Sequence, residues 1–435
     1  MNLGILKKIS IKYNAYLLEE TETTVTLEAS EESIELMQDI RLITGKEPII
    51  IKGDEEEIKR KLSIRYDSSM ENNENLAQKL FEEITKFAIE ENISDIHLEP
   101  FEEEFRIRMR RDGKLELYDV ISMAFYSEVV SFIKLKSGMD IAEKRLPQDG
   151  RLEISDKENS VDIRVSSIPT VNGEKIVMRI LNKNIFIKNI TNPDFSDEEM
   201  KIVSKIINKK SGIIIVCGPT GSGKTTTVYS IIKKLMDLDK NITTIENPIE
   251  YKINGINQIQ VNEKIGLTFE NGLRAILRQD PDIIMLGEIR DTETAEIAVR
   301  AAITGHLVIS TLHTDDAIST IIRLYDMGIK SYLIKASLSG IISQRLVRKK
   351  CFNCKNMKGL VENCKICNGR GYIGRTAIHE IMEVDENIKN SIKDDFERKD
   401  IKNAANKSGM ITFEESIKRL LKDGVLDERE VYNLV

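Results

Sequence analysis

Sixteen consecutive residues constrain this chain more than any others: Ile213-Ile-Ile-Val-Cys-Gly-Pro-Thr-Gly-Ser-Gly-Lys-Thr-Thr-Thr-Val228. The apolar run Ile213 to Cys217 predicts a short buried strand of the parallel-sheet kind. It feeds a complete G-x-x-x-x-G-K-[ST] from Gly218 to Thr225. Phosphate binding needs these residue types. Glycines at 218, 221 and 223 let successive backbone N–H groups turn inward around an anion, where a side chain would block the approach. Lys224 supplies a point charge for the β- and γ-phosphates, and the Thr225 hydroxyl can ligate Mg²⁺. A helix over 224–236 aims its positive end at the same place. The candidate nucleotide-binding residues are therefore Gly218, Pro219, Thr220, Gly221, Ser222, Gly223, Lys224, Thr225 and Thr226. An ordinary glycine turn is the alternative, and the order strand, loop, helix favours the nucleotide.

A single compact core does not accommodate 435 residues, so two to four domains are expected. A formal net charge of −7 argues against a general nucleic-acid binder. No apolar run reaches the ~18–20 residues of a transmembrane helix. Met1 to Lys8 does not read as a secretory signal. The expected location is cytoplasmic.

Residues 1–66 alternate strand-like stretches (Thr23 to Leu27, Pro48 to Lys52) with helical ones (Glu32 to Ile43, Asp54 to Ile64), a small α/β module whose role, docking or structural, the sequence leaves open. Polar residues 66–75 read as a linker. Leu76 to Glu91 has a helical apolar face. Arg106, Arg108 and Arg110 alternate with Phe105, Ile107 and Met109, so in a strand the arginines share one face. That face is either solvated or directed at a phosphate or an acidic neighbour. Val161 to Val165 and Lys175 to Leu181 are two more strands, each with one arginine amid apolar residues, Arg164 and Arg179. An arginine there is unfavourable unless paired. Residues 182–192 read as a second linker.

Within the core, Ile242 to Glu250 is a strand ending in two carboxylates, Glu246 and Glu250, around Pro248. Arg274 and Arg278 are four apart on a short helix. Asp282-Ile-Ile-Met-Leu-Gly-Glu288 is a buried strand delivering an acid, the Walker B pattern that holds Mg²⁺ beside a phosphate loop. Leu307 to His313 is another strand with a polar end. Glu250, Glu288 and His313 are thus expected to gather where a doubly wound sheet places its ligand. Cys351-x₂-Cys354-x₉-Cys364-x₂-Cys367 presents four thiolates in two turns, a structural Zn²⁺ pattern, with two redox pairs as the alternative. Cys217 reads as a small core residue. Residues 385–435 suggest closing helices.

Together these stretches resemble the bacterial secretion ATPases of the type II secretion and type IV pilus assembly branch. The resemblance is carried by Leu277-Arg-Gln-Asp-Pro-Asp-Ile-Ile-Met-Leu-Gly-Glu-Ile-Arg-Asp291, Ser94 to Pro100, Ile141 to Arg151, Gly173-Glu-Lys175 and Thr304 to Thr314, and it runs from about residue 30 onward. It implies an α/β fold: a RecA-like P-loop core with a doubly wound, mostly parallel sheet (193–343). An N-terminal module (1–66) and a smaller PAS-like α/β domain (76–181) precede this core, and a zinc knuckle (345–373) and helical subdomain (374–435) follow it. It also implies a homohexameric ATPase peripheral to the inner face of the cytoplasmic membrane, held there by an inner-membrane platform protein. Its cofactors are ATP, Mg²⁺ and Zn²⁺. Carried over by motif, Lys224 and Thr225 match the phosphate loop, Glu288 the Walker B acid, Glu246 and Glu250 the acidic box, and His313 the γ-phosphate-sensing histidine. Arg164 and Arg179 match arginines reaching across from the N-terminal subdomain, while Arg274, Arg278 and Arg323 match other site or interface arginines. The chain departs from the pattern at Asn247, where aspartate is usual, at His379, where tyrosine is common, and in its short N-terminal module.

Three other readings compete. A retraction ATPase is the nearest, but such relatives typically lack the cysteine knuckle. A DNA-translocating ATPase predicts a basic channel and stacking aromatics, against no Trp, 5% aromatics and an acidic balance. A non-enzymatic zinc adaptor with a dead nucleotide fold would not need Lys224, Thr225, Glu250 and Glu288 intact.

Overall fold

The computed structural model describes residues 10–432, without 11, 22, 32, 59–61, 63–72, 157–158, 192, 238, 355–363 and 365. They fall into two compact units, 1–183 and 184–435.

The first unit opens with β1 (Ala15–Glu20) and β2 (Thr24–Ala29), antiparallel, and β3 (Glu47–Lys52), parallel to β2. A parallel return needs a crossover, here the helix Ile34–Thr44. Ser33 accepts from the Leu36 N–H at its start, and Gly45 takes the left-handed conformation that ends it. Leu36 and Ile40 pack on Ala15, Val25, Leu27 and Ala29. Strand β1 has no counterpart in the sequence reading, because Ala15-Tyr-Leu-Leu-Glu-Glu lacks alternation. The helix expected over 54–64 is helical at 55–58, and its later residues lie mostly outside the described ones, as does most of the expected linker at 66–75. The helix Asn73–Glu90 begins inside that linker.

A six-stranded antiparallel sheet follows, in the order β6-β5-β4-β9-β8-β7. Its strands are β4 (Asp95–Pro100), β5 (Glu104–Arg111), β6 (Lys114–Ser122), β7 (Gln148–Asp156), β8 (Asn159–Thr170) and β9 (Gly173–Asn182). Alternation decides the faces. Phe105, Ile107, Met109, Ile163, Val165, Met178 and Ile180 bury against the helices Asn73–Glu90 and Tyr126–Lys136. The intervening residues stand on the other face.

In the second unit the order is β12-β11-β13-β14-β10-β15-β16. These are β10 (Gly212–Cys217), β11 (Ile242–Glu246), β12 (Asn257–Gln260), β13 (Ile283–Leu286), β14 (Leu307–Leu312), β15 (Leu338–Lys350) and β16 (Tyr372–Glu383). All pairings are parallel except β15 with β16. Both faces are covered. Ile213, Ile215 and Cys217 enter one core while Ile214 and Val216 enter the other. Each such burial is worth about 2 kcal/mol, which is why β10 reads as an unbroken apolar run rather than an alternating one.

The segment 182–192 is not a linker: it forms the helix Lys183–Thr191, and Phe186 and Ile190, four apart, both bury in the second core. At the far end, Ile388, Ile392, Ile401 and Ala405 join the first core, and Leu420 packs with Val347 and Ile378. Among the described residues no helix is long and apolar enough to cross a membrane.

Candidate active site and metal centre

The phosphate loop joins β10 to the helix Lys224–Leu235. Gly218, Gly221 and Gly223 take φ of 145°, 78° and 87°, where an L side chain is strained. A Cβ at Gly218 would also lie 2.3 Å from the Gln344 carbonyl oxygen. Lys224 folds back, donating to the carbonyls of Gly218 (2.8 Å) and Pro219 (3.0 Å). Burial lowers its pKa, with Cys217 and Glu288 opposing. No side chain caps the helix N-terminus, and the buried Ser222 Oγ has no hydrogen-bond partner among the described residues. Glycine cradle, uncapped N–H groups and an orphaned hydroxyl are what an anion of phosphate size would satisfy. Thr220 and Thr225 are exposed and Thr226 is half-buried beside it.

Gln344 braces this loop. Its side chain donates to the Ser222 carbonyl (2.7 Å) and accepts from Thr227 Oγ1 (2.5 Å). The sequence reading missed it, because it stands on β15, beside β10 in space and more than a hundred residues away in the chain.

Glu288 and His313 follow the adjacent parallel strands β13 and β14. The Nε2 of His313 lies 3.8 Å from Glu288 Oε2, and Arg290 Nη2 lies 2.6 Å from Oε1. Burial, then the Lys224 charge, lowers the His313 pKa, with Glu288 opposing; the ring is neutral at neutral pH. Lys224, Glu288, His313 and Arg290 therefore share one electrostatic neighbourhood. Arg290 carries no role in the sequence reading, although it lies within the quoted signature two residues past Glu288. Glu246 is different. It is 3% exposed and accepts from Tyr229, from Thr244 Oγ1 (2.7 Å) and from Gln258 Nε2 (3.1 Å). Its carboxylate ties β11 to β12 and to the phosphate-loop helix. Glu250 is half-buried beyond the cis Asn247–Pro248 bond. Arg278 lies just past the helix Phe269–Ile276, exposed, donating to the Arg274 carbonyl (2.9 Å), while Arg274 pairs with Glu270 (2.9 Å).

In the first unit, Arg164 and Arg179 do not sit among apolar side chains. Their apolar sequence neighbours point to the opposite face. Register aligns Arg110, Asp95, Arg179, Arg164 and Arg151 in one row across five strands. Arg179 donates to Asp95 (3.0 Å) and is 63% exposed; Arg164 is half-buried between two arginines of that row. Arg108 meets Glu99 through two bonds (2.6 and 2.9 Å), so the alternating arginines face acidic neighbours.

The four clustered cysteines are buried and free of disulfides, with their sulfurs all within 4.8 Å of one another. Cys351 and Cys364 approach to 3.9 Å, Cys354 and Cys367 to 3.5 Å. Tetrahedral ligands at ~2.3 Å from a zinc ion stand ~3.8 Å apart. Asn353 Nδ2 and the Gly371 N–H donate to the sulfurs of Cys364 and Cys367 (3.3 and 3.2 Å), as bonds to thiolates would. The donor set fits a metal.

A sequence profile described as Type II/IV secretion system protein matches residues 70–433. The chain belongs to this family. Among curated relatives, the type IV pilus assembly ATPase PilB of Thermus thermophilus is 45% identical over 370 residues, 80% of this chain and 42% of its own length. Type II secretion system protein E of Pseudomonas aeruginosa is 43% identical over 364 residues, 79% of this chain and 72% of its own. A solved pilus retraction motor, PilT with bound ADP, is 28% identical, with a TM-score of 0.56, covering 81% of this chain and 96% of that one. The ATPase DotB of Legionella pneumophila shares the fold at 22% identity and a TM-score of 0.61, covering 82% of this chain and 95% of that one.

The surroundings of His379 show what that residue does here. Its ring packs on Phe195 (centroids 4.4 Å), with Nδ1 3.6 Å from Glu199 Oε1. Glu199 is fully buried and also receives Arg419 Nη2 (3.0 and 3.1 Å) and Ser416 Oγ (3.2 Å). Burial raises the Glu199 pKa; His379, the Ser196 backbone and Arg419 outweigh it and hold the value at about 2. This cluster fastens the C-terminal helix Phe413–Lys422 to β16 and to the helix Asp197–Ile207.

Proposed function

We propose that the chain is an ATP-hydrolysing motor that extends a type IV pilus or a type II secretion pseudopilus. The observation that carries this reading is the meeting of Lys224, Glu288 and His313 at adjacent strand ends beside the glycine loop. The loop N–H groups and Lys224, released from its two carbonyls, hold the β- and γ-phosphates. Thr225 and Glu288 would hold Mg²⁺, which when bound neutralises charge on the phosphate oxygens. Glu250 and Glu288 orient the water that attacks the γ-phosphorus as the bond to ADP breaks. Neutral His313 donates to the γ-phosphate. Glu246, with its hydrogen bonds to Tyr229, Thr244 and Gln258, sets the position of this strand end rather than reacting. Arg164 and Arg179 supply positive charge from the first unit, and Arg278 serves at an interface. Cys351, Cys354, Cys364 and Cys367 would hold Zn²⁺, which would crosslink the connection between β15 and β16.

The working form in this reading is a homohexamer in the cytoplasm, held at the inner membrane face through a platform protein. It does not bind nucleic acid. Similarity to a retraction motor keeps that as the second reading; the cysteine cluster supports assembly. Phosphate release from ATP by the purified full chain with Mg²⁺, unaffected by DNA, is the expected result. Turnover only with DNA would overturn it, and native mass measurement with ATP tests the hexamer.

A further inference from the structure

The segment that links His313 to the helix Ala317–Asp326 is held from several sides at once. Cys217, the residue before the phosphate loop, reaches the Asp316 carbonyl through its sulfur (3.7 Å). Ser343, beside the loop-bracing Gln344, donates to the Asp315 carbonyl (3.2 Å). Buried Glu380 on β16 accepts from the Ala317 N–H (2.8 Å). Thr314 and Thr320 bond to each other through their hydroxyls (2.7 Å). The remaining hold is charged and comes from the C-terminal helices. Arg398, first residue of the helix Arg398–Lys407, donates Nη2 to Asp316 Oδ2 (2.5 Å) and Nη1 to Ser319 Oγ (2.8 Å). Asp316 is already the N-cap, accepting from Ser319 N–H (2.7 Å). The arginine fork therefore clamps a helix start three residues after His313.

We propose that Arg398 is a positioning residue for His313, acting through Asp316, and that it ties the C-terminal helices to recognition of the γ-phosphate. This rests on the function proposed above. The physical ground is reach. His313 Nε2 lies 3.8 Å from Glu288; the end of β14, where Leu312 pairs with Cys217, fixes its backbone on one side and the three-residue span to Asp316 on the other, so a slack N-cap displaces the ring. Displacements of about 1 Å at such a site cost on the order of 10²-fold in rate. Arg398 is 50% exposed, so its loss removes a clamp without opening a cavity, and a fall near tenfold is expected. Glu380 is the uncharged-donor counterpart of the same hold, but it is buried in the sheet, and replacing it would disturb the fold as well.

The test uses the full chain with Mg²⁺. Arg398→Ala should lower kcat about tenfold, with ADP affinity and melting temperature unchanged. The preference for a non-hydrolysable ATP analogue over ADP should fall toward that of His313→Ala, and the double variant should match His313→Ala alone. Arg398→Lys keeps the pair with Asp316 and should recover most of the loss; Asp316→Asn keeps a cap acceptor without the charge and should reproduce it. A wild-type kcat in Arg398→Ala would overturn the proposal, as would a further loss of analogue preference in the His313→Ala background. Wild-type protein that hydrolyses no ATP would overturn the parent reading with it, which separates the two failures.

Discussion

The two large sheets present chemistry in opposite ways. The seven-stranded sheet, parallel except where β15 meets β16, is covered on both faces, so β10 and β14 are buried along their whole length and Lys224, Glu288 and His313 lie beyond the strand ends. The six-stranded antiparallel sheet is covered on one face, so its charged residues lie along the strands, in cross-strand rows such as Arg110-Asp95-Arg179-Arg164-Arg151. A site at strand ends is set by loops and backbone N–H groups. A site on a face is set by register, because a one-residue slip would turn every arginine into the core.

The sharpest way to break this comparison is at the strand ends. Lys224→Ala should lose about a hundredfold or more in ATP affinity, the scale of several charge-assisted hydrogen bonds. Glu288→Gln should bind ATP normally and lose turnover by about 10³. Equilibrium binding and phosphate release on the same preparations check both, and normal hydrolysis by Glu288→Gln would remove the assignment.

Next in size come the arginines of the open face. If Arg164 and Arg179 meet the γ-phosphate, alanine at either should cut turnover on the order of 10²–10³ with ADP affinity nearly unchanged. If they only brace their own row, the melting temperature falls and kcat per folded molecule holds.

The cysteine cluster sharpens the contrast by belonging to neither class. Elemental analysis should find one Zn²⁺ per chain. Cys354→Ser should lower the melting temperature by about 5 °C or more while turnover per folded molecule stays. A metal-free wild type of full stability would exclude the site.

The last prediction concerns pH and Glu199. Its folded-state pKa, about 2, lies below the ordinary 4.5. Its contribution is therefore present above about 4.5 and lost as pH falls toward 2, up to about 3 kcal/mol in all. Urea melts across that range should show a steep acid limb that flattens in Glu199→Gln.

The nucleotide loop was legible because its residues are contiguous and their types are dictated by phosphate geometry. The cysteine quartet was legible for the same reason, two local turns at fixed spacing. The helix Lys183–Thr191 was not, since its apolar residues are spaced among lysines and asparagines and only packing onto the second core shows their purpose. Gln344 and the Glu199–His379–Arg419 cluster were missed because nothing local marks a partner drawn from a distant strand or helix; Arg290 stands two residues from Glu288, but only the folded turn after β13 shows that the two side chains pair.

By itself, the sequence determined the glycine-rich strand–loop–helix, which four thiolates converge and that β10, β11, β13 and β14 are buried strands, for these follow from local spacing and side-chain chemistry. Only the tertiary structure decided what each charge does. It placed Glu246 in a closed set of hydrogen bonds and left Glu288 beside His313. It also turned two arginines of apparently apolar strands onto a charged face. The physical reason is that a charged group's energy depends on its neighbours and its burial, and strand order, not chain order, supplies both.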